Sequence, residues 1–206
     1  MKWRAGRGIV AVGAVVLGLG VWWGVVRDTP GSDSAAPSRA AVPGDTLDLV
    51  PGCRRDTCDV VARRDGVQFP GGRATVLVVS GPRACGRRLQ SSVHALRRGR
   101  IVWSGPREAV CGDPVGGIEV DATGHAFLLF PHGDDATRLV VLGTRAGEVV
   151  DYGSFDGRFT AAAVSVEDGD GDRAFEITVS GEGCRPCEGA PVVILRWDGS
   201  DYAVAD

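Results

Sequence analysis

Three segments of this chain echo one another at a spacing near fifty residues, and that period narrows the fold sharply. Residues 74–81 (ATVLVVSG), 126–133 (AFLLFPHG) and 174–181 (AFEITVSG) begin 52 and 48 residues apart. Each sits in the same succession of short runs. A weaker run precedes it (residues 60–63, 117–120 and 161–166) across a turn rich in Asp and Gly. Two more follow it (92–96 and 100–103, 138–143 and 148–152, 192–197 and 202–205). The runs are rich in Val, Ile, Thr and aromatic residues and are bounded by Gly, Asp and Pro, which favours pleated strands. They are too short for helices. Turns such as Arg98-Gly99, Asp156-Gly157 and Asp198-Gly199 place Gly where tight hairpins need positive φ. The expected fold class is therefore all-β, built from three four-stranded units of the propeller-blade kind. Helical solenoids are excluded. Closed propellers have about four to eight blades, so a short propeller-like stack, a β-sandwich of the same hairpins and a ring completed by oligomerisation all fit. Residues 46–50 could supply an extra strand.

The first 26 residues suggest an address. Lys2, Arg4 and Arg7 precede an uncharged run of 19 residues, 8–26. At about 1.5 Å per residue such a helix spans roughly 28 Å, close to the hydrocarbon thickness of about 30 Å. Trp22 and Trp23 lie near its far end, where indoles favour the headgroup level, and the basic residues predict an N-terminus left in the cytoplasm. A cleaved signal peptide, giving a secreted form, is the competing expectation. Its apolar region would usually be shorter, and the nearest small-residue sites here lie well downstream. Gly20 and Gly24 form a GxxxG pair of the kind that packs transmembrane helices. The expected organisation is a cytoplasmic basic stub (1–7), a single-pass cell-membrane anchor (8–26), a flexible Pro-, Ser- and Ala-rich linker (27–44) and an extracytoplasmic β-repeat domain (45–206).

Six cysteines, Cys53, Cys58, Cys85, Cys111, Cys184 and Cys187, follow the anchor, on the side where disulfides persist. Six allow fifteen pairings; the short spacings favour Cys53 with Cys58 and Cys184 with Cys187, leaving Cys85 for Cys111. Charge is split along the chain. Residues 51–108 carry 12 Arg against 4 acids, and residues 109–206 carry 6 Arg against 18. If the fold keeps the two apart, the basic part suits anionic headgroups or envelope polymers. Nothing in the sequence interleaves basic and aromatic residues as nucleic-acid binding would.

The last unit contains the densest chemistry. Asp168-Gly-Asp170-Gly-Asp172-Arg-Ala-Phe-Glu176 sets four carboxylates in one short loop. Such a cluster needs a counter-charge, and Ca²⁺ takes about six to eight oxygens. With the strand through Val179 and the later stretch 189–199, this loop resembles the FG-GAP/VCBS type of bacterial β-repeat, related to the calcium-binding blades of integrin α-chain propellers. The resemblance covers residues 160–206. It implies one Ca²⁺ held by Asp168, Asp170, Asp172 and Glu176 with the carbonyl of Ala174, in a loop joining two antiparallel strands. The chain has Glu176 where that family usually has Asp or Asn. The middle unit keeps Asp121, Thr123 and Gly124, and the first keeps Asp65 and Gly66. An EF-hand fits less well, because its sixth position is Arg173 and its twelfth Val179.

No catalytic set stands out. Cys184-x-x-Cys187 would be redox-active beside a helix N-terminus, but it lies in a Gly-rich loop between strands. His94, His125 and His132 are the only histidines. None sits in a metalloenzyme pattern, and His125 reads as a surface turn residue. Ser104 and Ser154 lack the nucleophile elbow. Most aromatic residues beyond the anchor fall in strands, as core packing requires, although Trp197 to Tyr202 could face a carbohydrate or peptide. The sequence thus points to a binding or scaffolding role at the cell envelope, with an envelope polymer or protein as partner. A thiol-disulfide oxidoreductase using Cys184 and Cys187 is the alternative.

Overall fold

The computed structural model describes residues 46–206 except residues 55, 134–135, 154–158, 183, 185–186, 188–189 and 206, and except the side chains of residues 107–109. The stub, anchor and linker expected over residues 1–44 lie outside the described residues, as does the Asp156-Gly157 turn. No helix among the described residues is long and apolar enough to cross a membrane.

The described chain is all-β, in three antiparallel sheets that follow one another in sequence. Sheet 1 runs in the order β1 (Asp59–Phe69), β2 (Gly72–Cys85), β3 (Arg88–Arg97), β4 (Arg100–Cys111). Sheet 2 contains β5 (Val115–Val120), β6 (Ala126–His132), β7 (Ala136–Arg145) and β8 (Glu148–Asp151), with β9 (Thr160–Ala161) also on β7. Sheet 3 runs β10 (Ala163–Glu167), β11 (Glu176–Ser180), β12 (Val192–Trp197), β13 (Tyr202–Val204). Most consecutive strands within a sheet pair as hairpins, and where the connection is short a Gly at positive φ turns it, as at Gly71, Gly99 and Gly147; β9 instead pairs with β7, and residues 181–191 separate β11 from β12.

Three details differ from expectation. The run 161–166 is two strands: Ala161 completes sheet 2 through Thr137↔Ala161, while Ala163 opens sheet 3 through Ala163↔Ser180. The middle sheet therefore has five strands instead of four. Residues 46–50 add no strand; Leu47–Leu49 form a single 3₁₀ turn. The Asp65-Gly66 dipeptide does not turn the first hairpin, but lies inside β1 where the pairing slips between Arg64↔Val76 and Val67↔Ala74. A Gly at positive φ serves a bulge as well as it serves a turn, and here it bends a long strand.

Burial explains the order of packing. In β6 and β7 the apolar residues are continuous, and both faces of sheet 2 are covered. One face (Ala126, Leu128, Phe130, Val140, Leu142) packs on Val76, Val78, Val93 and Ala95 of sheet 1. The other (Phe127, Leu139, Val141) packs on Ile177, Val179, Val193 and Leu195 of sheet 3. Strands covered on both sides read as unbroken apolar runs. By contrast β12 alternates, with Val193 and Leu195 buried and Val192 and Ile194 exposed. The remaining face of sheet 1 (Leu77, Val79, Leu96) is covered by the segment carrying Leu47, Val50, Cys53 and Cys58. All six cysteines are paired, Cys53–Cys58, Cys85–Cys111 and Cys184–Cys187, and none is free. These are the pairs that the spacings favoured.

Candidate metal centre

The acidic loop connects β10 to β11, the first hairpin of sheet 3, so antiparallel strands hold both of its ends. Glu167 and Glu176 face each other across that ladder, and like charges directly opposite repel. The loop folds on its own carboxylates. Asp168 accepts hydrogen bonds from the N–H of Gly171 at 2.8 Å and of Arg173 at 3.2 Å. Asp170 accepts from Asp172 N at 3.2 Å, Asp172 from Ala174 N at 2.7 Å, and Glu176 from Gly169 N at 2.7 Å. Local bonds of this type are how Asp drives tight turns. They gather Asp168, Asp170 and Glu176 so that one carboxylate oxygen of each lies within 4.8 Å of the others. The aspartates are exposed and Glu176 is buried. Asp172 does not belong to that group; it accepts the N–H of Ala174, whose carbonyl was the expected main-chain ligand.

The donor set consists of hard oxygens, which suits a divalent cation of the Ca²⁺ or Mg²⁺ type and not a thiophilic one. A protein cation already reaches it. Arg196, on β12 next to β11, sets Nη2 at 3.5 Å from Asp170 and Nε at 3.3 Å from Glu176. Its side chain is 53% exposed. The contact is therefore long, solvated and easily vacated. Arg173 holds the sixth place of the loop at φ 73, the left-handed conformation that a Gly would adopt without strain. The sequence departs from an EF-hand at this residue, yet the backbone turns there as such loops do.

The middle unit's counterpart of this loop, Asp121 to His125, exposes Ala122 and Thr123 but buries both of its ends. Asp121 is buried and accepts from Thr123 Oγ1 at 2.6 Å and His125 N at 2.9 Å. Its second oxygen takes Phe175 N of the third unit at 3.3 Å, and Ala122 N donates to Arg173 O at 2.8 Å. The acidic loop of sheet 3 is thus fastened to sheet 2 from beneath. His125, expected at the surface, is 5% exposed. Its Nδ1 lies 2.8 Å from the hydroxyl of Tyr202, and its ring meets Trp197 edge-on at 4.4 Å between centroids. Burial lowers the His125 pKa, with Asp121 opposing, and burial raises that of the Tyr202 phenol. Tyr202 is buried in this packing and not presented to solvent, while Trp197 is half-buried.

Sequence reasoning also passed over His94. Its ring is buried on β3 with Nε2 at 2.8 Å from Ser92 Oγ and Nδ1 at 2.8 Å from Ser104 Oγ on β4. Burial drives its pKa down to about 4. Period-2 alternation puts Ser92 and His94 on one face, but the cross-strand pairing His94↔Ser104 needs the register. Cys184 and Cys187 form their bridge within the β11 to β12 connection. No α-helix follows them among the described residues. No family model matches this chain, and neither a curated protein nor a solved structure matches it.

Proposed function

We propose that this chain is a membrane-anchored, extracytoplasmic β-repeat protein of the FG-GAP/VCBS kind, whose corner between β10 and β11 holds one Ca²⁺ ion. Its role is binding or scaffolding at the cell envelope. The reading rests chiefly on the convergence of three carboxylates within 4.8 Å in a loop clamped at both ends by strands. Asp168, Asp170 and Glu176 would hold the ion, which would draw Arg196 off the site. Bound there, Ca²⁺ supplies charge neutralisation and cross-links the two strands; it performs no chemistry. The two hydrogen bonds that join the loop to the middle turn, Phe175 N–H to Asp121 and Ala122 N–H to the Arg173 carbonyl, would pass that stiffening to sheet 2. Three disulfides support an oxidising compartment, and the basic, apolar and linker succession of residues 1–44 supports an anchor.

Isothermal titration of the metal-stripped chain tests the site. One Ca²⁺ per chain with a dissociation constant on the order of 10⁻⁴ to 10⁻³ M is expected, the range of extracellular modules. Asp170→Ala should abolish the heat, and Arg196→Gln should tighten binding by removing the competing cation. Equal titrations of wild type and Asp170→Ala would refute the assignment.

A further inference from the structure

The charge split along the sequence is a split between sheets. Residues 59–111, sheet 1, carry 10 Arg and 3 acidic residues, whereas residues 163–204, sheet 3, carry 3 Arg and 9 acidic residues. Within sheet 1 the arginines are not spread evenly. At the end where β1 turns into β2 and β3 into β4, Arg63, Arg73 and Arg98 line one hollow of about 380 Å³ together with Thr46, Thr75 and Gly99. The hollow lies on the face that the segment of Leu47 to Cys58 covers, since Arg63 pairs with Leu77 and Thr75 with Leu96.

The three guanidinium groups are not equally committed. Arg63 is held by Asp65, with Nε at 3.0 and 2.9 Å and Nη2 at 2.9 Å, and Thr75 donates to the same carboxylate at 2.7 Å. Those bonds keep the Asp65 carboxyl below the usual range, so it stays charged and cancels Arg63. Arg73 has only a 3.4 Å contact to the neutral Gln68, and Arg98 makes no ion pair among the described residues. Two arginines that line one concavity thus have no acidic partner among the described residues. Arg98 also stands at φ 51, a left-handed conformation that is costly for a non-Gly residue. A Gly would relieve that cost, so the strained turn retains an arginine where its backbone favours none.

We infer that this hollow is a binding site for a phosphate-type oxyanion, with Arg73 and Arg98 as its two charged forks and the Thr75 side as its floor. A guanidinium presents paired N–H donors that match phosphate oxygens, and two of them fit a dianionic group. A volume in the range of small-ligand sites, at least about 300 Å³, admits a diphosphate or a phospholipid headgroup. The inference gives a ligand class to the binding role proposed above and rests on that role only for its setting. It is independent of Ca²⁺, whose candidate ligands are on sheet 3.

The test is calorimetric titration of inorganic pyrophosphate into the full chain, held in neutral detergent at low salt. One-to-one binding that weakens with added salt is expected. Arg98→Gly, which the backbone accommodates, and Arg73→Gln should each weaken it about tenfold, the size of one charge-assisted bond. Arg88→Gln, in the hairpin at the opposite end of sheet 1, should keep wild-type affinity. Absence of binding, or equal loss in Arg88→Gln and Arg98→Gly, would overturn the site, the latter by reducing it to diffuse attraction. In nanodiscs containing phosphatidylglycerol, loss of pyrophosphate binding relative to phosphatidylcholine discs assigns the site to lipid headgroups. Retained binding assigns it to soluble phosphates. An intact Ca²⁺ response alongside failed pyrophosphate binding would reject this inference alone.

Discussion

His94 is a basic side chain sealed between two serine hydroxyls, and its position makes the fold sensitive to acid. The unfolded chain takes up the imidazole proton near pH 6.5, whereas the folded chain keeps the ring neutral down to about 4 because charging it would mean desolvating an ion. Protons therefore bind preferentially to the unfolded state between those values, and stability falls as pH drops through that window. The full loss approaches about 3 kcal/mol, and nothing from this group is lost above pH 6.5. Urea midpoints measured from pH 7 to pH 4 should fall more steeply for wild type than for His94→Gln, which keeps hydrogen-bonding capacity without the titration. Parallel curves would contradict the assignment. The sequence offered only half of this setting: alternation puts Ser92 on the same face, but Ser104 reaches the ring only through the pairing of β3 with β4. The acidic corner was legible, since the order of carboxylates within nine residues is itself the turn. What the order did not reveal is Arg196, some twenty residues away, which reaches the triad only because β12 lies next to β11.

At the scale of elements, the turn between the first two strands of sheet 2 touches both β1 and the acidic loop of sheet 3. Gly124 in the middle turn, at φ 85, comes so near Gln68 O of β1 that an added Cβ would lie 2.5 Å from it. The other side of the same turn is bonded to Arg173 and Phe175 of the acidic loop. Gly124→Ala thus meets a rigid carbonyl and a strained φ together. A loss of about 3 kcal/mol is expected by urea denaturation, combining overpacking with the left-handed penalty. A change under about 0.5 kcal/mol would mean that the middle turn does not press on β1. Strand existence and order could be read from residue type, because β-branched runs bounded by Gly leave little else to form. The two errors of boundary, at Asp65-Gly66 and at Ala161, share a cause. Local composition marks where a chain can bend, while cross-strand register decides whether the bend is a turn, a bulge or a change of sheet.

For the molecule as a whole, the three units are alike in sequence but not in environment. Sheet 2 lies against both neighbours and keeps continuous apolar strands; sheet 1 is covered outside by a disulfide-closed segment; sheet 3 alternates, with Val192 and Ile194 in solvent. The repeat predicts the units, and the alternation in β12 tells which one has an open face. Sheet 3 is also the unit that carries the acidic loop and the repelling pair Glu167 and Glu176. A cation at this corner would therefore stabilise the sheet that packing supports least. Differential scanning calorimetry with about 10 mM Ca²⁺ against chelator tests this most directly. For binding in the expected range, mass action gives about 1 to 3 kcal/mol of stabilisation. That is a rise of several degrees in melting temperature, about 2 to 4 °C per kcal/mol for a domain of this size. Wild type should show the rise and Asp170→Ala should lose it; the same melting temperature with and without Ca²⁺ would mean that this corner holds no ion.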